Sequence, residues 1–262
     1  MNLLLLRPPY EDECSYGLLP THCPSGLTYR LTPEQTKHVL LVLKKKDGEA
    51  LKVGVVGLGT MSAVLNVIDG VVSVRLPNHW RESIQECNPP KVHLILALPR
   101  PKALLRIIEN AVSLGIERLD LINSWRVEKA YFQSPKLAKP ELNKAVTLGL
   151  EQSKQVHPPT IGIHRGFRQY LEDRYPIISR ELSMRKEHRF LMHPMGSSFK
   201  TIDKLPSSSS VSIAIGPEGG FIESEVKSFE ATHFHAMKLF EPIVKTEVAV
   251  TAALSQLHLL RQ

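Results

Sequence analysis

The stretch Ile213-Ala214-Ile215-Gly216-Pro217-Glu218-Gly219-Gly220-Phe221 decides how this chain is read. Preceded by Val211-Ser212, it opens as an alternating apolar run, the pattern of a buried strand. Gly216-Pro217 stops that strand in a tight turn, and a double glycine ends the turn. From Ile222 the apolar period becomes helical, with Glu223 and Glu225 in the first turn, where a helix dipole favours acidic side chains. Strand, glycine turn and helix in that order build a ligand site at the strand ends of an open α/β sheet. Lacking Cβ atoms, the glycines let backbone N–H and C=O groups come close to a ligand. A plain βα connection has the same outline, so the flanking sequence has to discriminate.

Working outward, strands and helices alternate on both sides. Arg189-Phe190-Leu191-Met192 reads as a strand ending at His193-Pro194, and Ala236-Met237-Lys238-Leu239 as another, followed by a last helix from about Thr246 to Leu260. Further back lie a strand at Val92 to Leu98, an amphipathic helix from Lys102 to Leu114 stopped by Gly115, a strand at Leu119 to Asn123 and a helix from Glu141 to Gln155. Arg165 to Arg189 is polar and basic, and reads as one surface helix with loops. This alternation predicts an α/β domain with a mostly parallel sheet over residues 91–262.

Residues 1–76 have a different texture, that of a small β-rich domain with one helix. Thr32-Pro33-Glu34-Gln35 starts the helix: Thr32 as N-cap, Pro33 at the first helical position and Gln35 completing a capping box. Strands follow at Ala50 to Val56 and Met61 to Ile68, and Asp69-Gly70 signals a hairpin into Val71 to Leu76. Short strands with tight turns suggest a small barrel. Gly54 to Gly59 is rich in glycine, but no helix opens after it, so it reads as a hairpin turn and not as a dinucleotide site. Pro77 to Pro90 reads as the linker between the two domains.

Composition excludes several classes. With 42% hydrophobic and 23% charged residues, the 262-residue chain is an ordinary globular protein, and no apolar run is long enough to span a bilayer. Met1-Asn2-Leu3-Leu4-Leu5-Leu6-Arg7 lacks a basic leader and reads as a first strand. Cys14, Cys23 and Cys87 show no Cys-x-x-Cys spacing and are odd in number, which argues against a disulfide framework or structural zinc and fits a reducing cytoplasm. The net charge of +7 is uneven. Residues 1–88 balance at 9 basic and 9 acidic, and the rest carry 24 basic against 17 acidic. A polyanionic partner is the natural inference, RNA ahead of membrane because no basic amphipathic helix stands out; a solvated basic surface is the bland alternative.

Taken together, His193-Pro194, Ile215 to Phe221, and Val244-Lys245-Thr246-Glu247 before an alanine-rich helix resemble the RsmE family of SPOUT-superfamily methyltransferases. Arg100-x-Lys102, Leu114-Gly115-Ile116, Glu151-Gln152-Ser153, and His38 with Val42-Leu43-Lys44 and Gly48-Glu49 are similar to further signatures of that family. The resemblance covers nearly the whole chain. It implies an N-terminal PUA-like β-barrel followed by a SPOUT α/β domain with a C-terminal trefoil knot, and a homodimer. The implied activity is methylation of uridine N3 in small-subunit ribosomal RNA, with S-adenosylmethionine (SAM) as cofactor and no metal. A relative that has lost methyl transfer but still binds ribosomal RNA or its particles, and a SPOUT enzyme acting on another base or a ribose, are the alternatives. Where the family reads Leu-Gly-x-Arg-Ile-Leu-Arg-Thr-Glu, this chain has Leu239-Phe240-Glu241-Pro242-Ile243-Val244-Lys245-Thr246-Glu247.

The resemblance assigns SAM to Met192, His193, Pro194, Ile215, Gly216, Gly219, Gly220, Leu239, Ile243, Val244 and Thr246. Lys245 is the catalytic candidate, as a cation against the developing uridine anion, with Glu218 as its companion that orients the loop or a ribose. Thr246 also reads as an N-cap to the last helix. Expected RNA contacts are Arg7, His38, Lys44, Lys45 and Lys46 in the first domain, and Arg100, Lys102, Glu151 and Gln152 in the second. His93 reads as a core-edge histidine.

Overall fold

The computed structural model describes residues 2–8, 16, 18, 21–23, 26–182 and 187–261. Cys14 lies outside them, and the side chain of Cys23 is also undescribed. The chain divides into two compact units, Met1–Pro89 with Val146–Pro158, and Pro90–Ala145 with Pro159–Gln262.

The first unit is a seven-stranded, mostly antiparallel sheet: β1 (Leu4–Leu6), β2 (Thr21–Cys23), β3 (Gly26–Arg30), β4 (Ala50–Val55), β5 (Gly59–Ile68), β6 (Val71–Leu76) and β7 (Gln85–Glu86). Its order is β1-β4-β5-β6-β3-β2, with β7 paired to β5. One face collects Tyr29, Val39, Val53, Val55, Leu65, Val74 and Leu76, all almost fully buried. The capping box forms as expected on α1 (Pro33–Lys37), which continues as a wider turn over His38–Val42. Asp69 and Gly70 take positive φ of 48° and 76°, the pair of left-handed residues that a two-residue hairpin turn demands.

Two boundaries differ from expectation. Residues 77–90 are not a loose linker: Trp80 is buried in the core of the first unit, Ile84 packs against it, and β7 joins the sheet. The prolines there mark an end of regular structure, while the apolar side chains between them still find a core. Residues 146–158, expected in the second domain, also belong to the first unit. Asn2 donates its backbone N–H to the Glu151 carbonyl at 3.1 Å, and Gly57 donates to the Val156 carbonyl at 2.8 Å. Val156 lies so close to Gly54 that a Cβ there would meet Val156 Cγ1 at 2.7 Å.

The second unit is a six-stranded parallel sheet: β8 (Val92–Ala97), β9 (Arg118–Ile122), β10 (Thr160–His164), β11 (Glu187–Ser198), β12 (Ser210–Ile215) and β13 (His235–Lys238), in the order β10-β9-β8-β12-β11-β13. Its helices are α2 (Pro101–Ser113), α3 (Lys139–Ser153), which begins here, α4 (Phe167–Gln169), α5 (Tyr175–Leu182), α6 (Glu223–Ala231) and α7 (Thr246–Leu260). Strands β8 and β12 are buried throughout, as parallel strands covered on both faces are.

Strand β10 was not foreseen, because Thr160-Ile161-Gly162-Ile163-His164 is short and lies at a half-exposed edge. The segment after it is not a surface helix either: Tyr170, Leu171, Tyr175 and Ile178 are buried. Tyr175 packs on Phe234 at 5.2 Å between ring centroids. Arginines and acids on the other faces mask this apolar spacing in sequence. His93 lies inside, with Nε2 2.8 Å from Asp120, whose carboxylate also accepts from Tyr170 and Arg118 and pairs with His164. Burial alone would raise the Asp120 carboxyl, but hydrogen bonds with His164 and His93, the His93 charge and the Arg118 bond hold it far below the usual range.

Candidate active site

Strands β12, β11 and β13 are neighbours and all parallel, so their C-terminal ends lie side by side and the loops that leave them converge. Strand β11 bulges at this end: Met192 and Ser197 both pair with Met237, and His193 to Gly196 are thrown out between them. Gly196 makes this possible, because a Cβ would run into the backbone of Ala236 and Met237. The three loops enclose a cavity of about 310 Å³. Its apolar wall comes from Met192, Ile215, Leu239, Phe240, Ile243 and Val244, and the Gly216 to Gly220 turn contributes backbone. A slot of this kind suits a flat heteroaromatic ring held by main-chain polar groups.

The glycine turn is fixed from several sides. Gly220 has φ +74° and donates to the Pro217 carbonyl at 2.8 Å, closing a β-turn. At Gly216 a Cβ would crowd Phe221 and Gly220 at 3.1–3.3 Å. Phe221 is buried against Phe229 at 5.1 Å and Phe167 at 6.4 Å, which anchors the end of the turn in the core. Glu225 is also buried and does more than complement a dipole: its carboxylate accepts from the Ile222 N–H at 3.0 Å and the Trp125 N–H at 2.7 Å. It thereby ties the start of α6 to the loop after β9. From that loop Arg126 Nη1 donates to the Gly219 carbonyl. Glu218 accepts from the backbone N–H of Arg100 at 3.3 Å, with the Arg100 guanidinium 3.8 Å away.

All eleven residues expected to hold a cofactor line this cavity, and Glu218 lines it with them. Lys245 does not line it. It is exposed at the N-cap of α7, where its carbonyl accepts the N–H groups of Val248 and Ala249. Thr246 is therefore the first helical residue and not the cap; it is buried, 5% exposed. Phe240, Glu241 and Lys238 also line the cavity, with Lys238 Nζ 2.8 Å from Glu241. The hydrogen bond from Lys238 lowers the Glu241 carboxyl.

Trp125 and Arg126 were not picked out in the sequence. The signal was available, since they follow a strand end just as Arg100 does.

Comparison with known proteins bears on this cavity. The family model for the RNA methyltransferase domain matches residues 86–258, which contain every element of the pocket. The chain belongs to the RNA methyltransferase domain family. Among curated members, ribosomal RNA small subunit methyltransferase E of Treponema pallidum is 27% identical over 218 residues, covering 82% of this chain and 79% of that one. The enzyme of the same name from Bacillus subtilis is 27% identical over 236 residues, with 87% and 88% covered. These relatives place the methyltransferase with the RsmE group that its motifs resemble. The crystal structure of the Neisseria gonorrhoeae methyltransferase E, bound to S-adenosyl methionine, superposes with TM-score 0.69 over 99% of this chain and 98% of that one. At 19% identity that likeness establishes the α/β fold.

The residues expected to touch RNA in this methyltransferase fall in both units. Arg100 and Lys102 are exposed at the start of α2. In the first unit Lys44 and Lys46 are exposed, and Lys45 and His38 half-buried. Arg7 is half-buried, and its carbonyl accepts from the Tyr29 hydroxyl at 2.9 Å. Gln152 is exposed, and its carbonyl accepts from Asn2 Nδ2 at 2.8 Å. Glu151 is the exception. It is 6% exposed, and burial raises its carboxyl against a hydrogen bond from Gln35.

Proposed function

We propose that this chain transfers a methyl group from SAM to N3 of a uridine in small-subunit ribosomal RNA, acting in the cytoplasm as a homodimer. The observation that carries the reading is the convergence of the three strand-end loops, with all of the expected cofactor residues, on one cavity. The match to the RNA methyltransferase domain family and the curated relatives support the same chemistry. In this reading the adenine occupies the slot beside Leu239, Ile243 and Val244, and main-chain groups of Gly216 to Gly220 meet its polar edge. The N–H groups of Thr246 and Glu247, which precede the first intrahelical bonds of α7, face the polar end. Bound SAM supplies a methyl carbon activated by a sulfonium.

The chain's own residues do the rest. Uridine N3 carries a proton that passes to solvent as N3 bonds the methyl carbon, so charge develops on the base as the N3–H bond is lost. Lys245, at the helix N-terminus beside the pocket, supplies the cation that stabilises it; its side chain makes no capping bond and is free to reach. Glu218 holds the Arg100 amide and so fixes the loop that closes the turn. Lysine keeps the charge of the family's arginine without its planar fork, which suits a single point contact better than a bidentate one. Phe240 and Pro242, where the family has Gly and Arg, line the cavity and still leave it open, which favours a working pocket over an inactive relative.

We further read the first unit as a PUA-like RNA-binding barrel, and the chain from β12 through α7 as threaded in a trefoil knot. The test is methyl transfer from labelled SAM to small ribosomal subunits lacking the modification, followed by nucleoside analysis. N3-methyluridine is the expected product. Label in another nucleoside overturns the target, and absence of SAM binding overturns the activity.

A further inference from the structure

We propose that Trp125 is a stacking platform for an unpaired base of the RNA substrate, set beside the methyl-transfer pocket. This rests on the function proposed above and adds a substrate contact to it. The chain has two tryptophans, and they are treated oppositely: Trp80 is buried at 5% exposure, whereas Trp125 is 80% exposed. An exposed side chain is ordinary by itself; what marks Trp125 is the company its loop keeps.

The loop that carries it is not free to move. The Trp125 N–H is held at 2.7 Å by the buried Glu225 carboxylate, and Arg126, the next residue, donates to the Gly219 carbonyl in the pocket turn. The indole is thus displayed on a backbone fastened to the cofactor site. It borders a second cavity, of about 740 Å³, shared with Asn123, Lys129, Phe167 and Arg168. Ser124 also lines that cavity; it is 3% exposed, and its hydroxyl has no hydrogen-bond partner among the described residues. A rigid aromatic face, two cations and an unsatisfied buried hydroxyl match the chemistry of a nucleotide: base on indole, phosphates against Lys129 and Arg168, and a polar edge for Ser124. The excess of basic residues beyond residue 88 is the matching long-range field. The hydrogen bond from Arg126 to Gly219 joins the loop that carries the indole to the turn of the methyl-transfer pocket.

The test compares Trp125→Ala and Trp125→Phe with the wild type, varying RNA and SAM separately. Because the indole is exposed and the loop is held through its backbone, both variants keep the fold. Stacking of one base predicts a rise in KM for RNA of about 5- to 150-fold in Trp125→Ala. The KM for SAM stays unchanged, and phenylalanine restores most of the loss. Adding oligouridylate to the wild type quenches the exposed indole fluorescence. A Trp125→Ala variant with wild-type KM for RNA overturns the proposal. So does one that dissociates to monomer at concentrations where the wild type is dimeric, because the indole is then a subunit contact. If the wild type methylates no RNA, the proposed function fails, and quenching by oligouridylate still decides the stacking claim alone.

Discussion

Gly196→Ala should damage cofactor binding. The new Cβ would lie inside 3.0 Å of three backbone atoms of Ala236 and Met237, where no flexible side chain can turn aside. Restoring ordinary carbon contact requires β13 to move from β11 by on the order of 1 Å. Overpacking of this kind costs about 1–3 kcal/mol, and the rigidity of strand backbone puts it at the upper end. For a unit of this size that corresponds to a fall in Tm of roughly 6–12 °C. The displaced strand leads directly into Leu239 and Phe240, so the cavity wall moves with it. Calorimetric titration of SAM should show at least roughly tenfold weaker binding, about 1.4 kcal/mol. Gly48→Ala is the control: φ is +79° but nothing lies within 4 Å, so it should lower stability and leave SAM affinity alone. A Gly196→Ala protein with wild-type Tm and SAM affinity would refute the argument that the bulge shapes the pocket.

Lys245→Ala should lower kcat by about 10²–10³-fold, as removal of one charge-stabilising donor does, with SAM affinity retained; equal loss of both would assign Lys245 to binding. Phe221→Ala removes the buried anchor of the glycine turn and should destabilise by about 3–5 kcal/mol, seen in urea unfolding. For Asp120 the folded carboxyl titrates below its unfolded value of 3.8, so its stabilisation is complete above that pH and is lost as the pH falls towards the lower folded value. Asp120→Asn should therefore cost most at neutral pH, about 3–5 kcal/mol, with the gap from wild type shrinking below pH 3.8; a gap independent of pH contradicts the assignment. Glu151→Gln should leave KM for RNA unchanged, and a rise of several-fold would return that residue to the nucleic-acid surface.

Local chemistry was the legible part of the sequence. Thr32 with Gln35, Asp69-Gly70, and the glycine turn each carry their geometry within a few residues, and each formed as read. Elements set by partners far along the chain were not legible. Glu225 reads as a dipole-facing acid, yet its second oxygen holds an amide one hundred residues away. Trp80 sits among prolines that suggest a linker, and only the distant core of the first unit explains its burial. The N-cap of α7 fell on Lys245 and not Thr246, which is buried and lines the pocket. Strand β10 gains its identity from its neighbour β9, and nothing in five residues of mixed polarity announces it.

The split of the first unit has a practical consequence for anyone who would take the protein apart. A fragment ending at Pro89 carries all seven strands but omits residues 146–158. Asn2 would lose its acceptors at Glu151 and Gln152, and the space beside Gly54 filled by Val156 would stand open to water. Such a fragment should be soluble only poorly, and proteolysis between the units should yield no stable N-terminal piece. The first unit can therefore finish folding only after residue 158 has been synthesised, and no single crossover in a gene could exchange it intact for another.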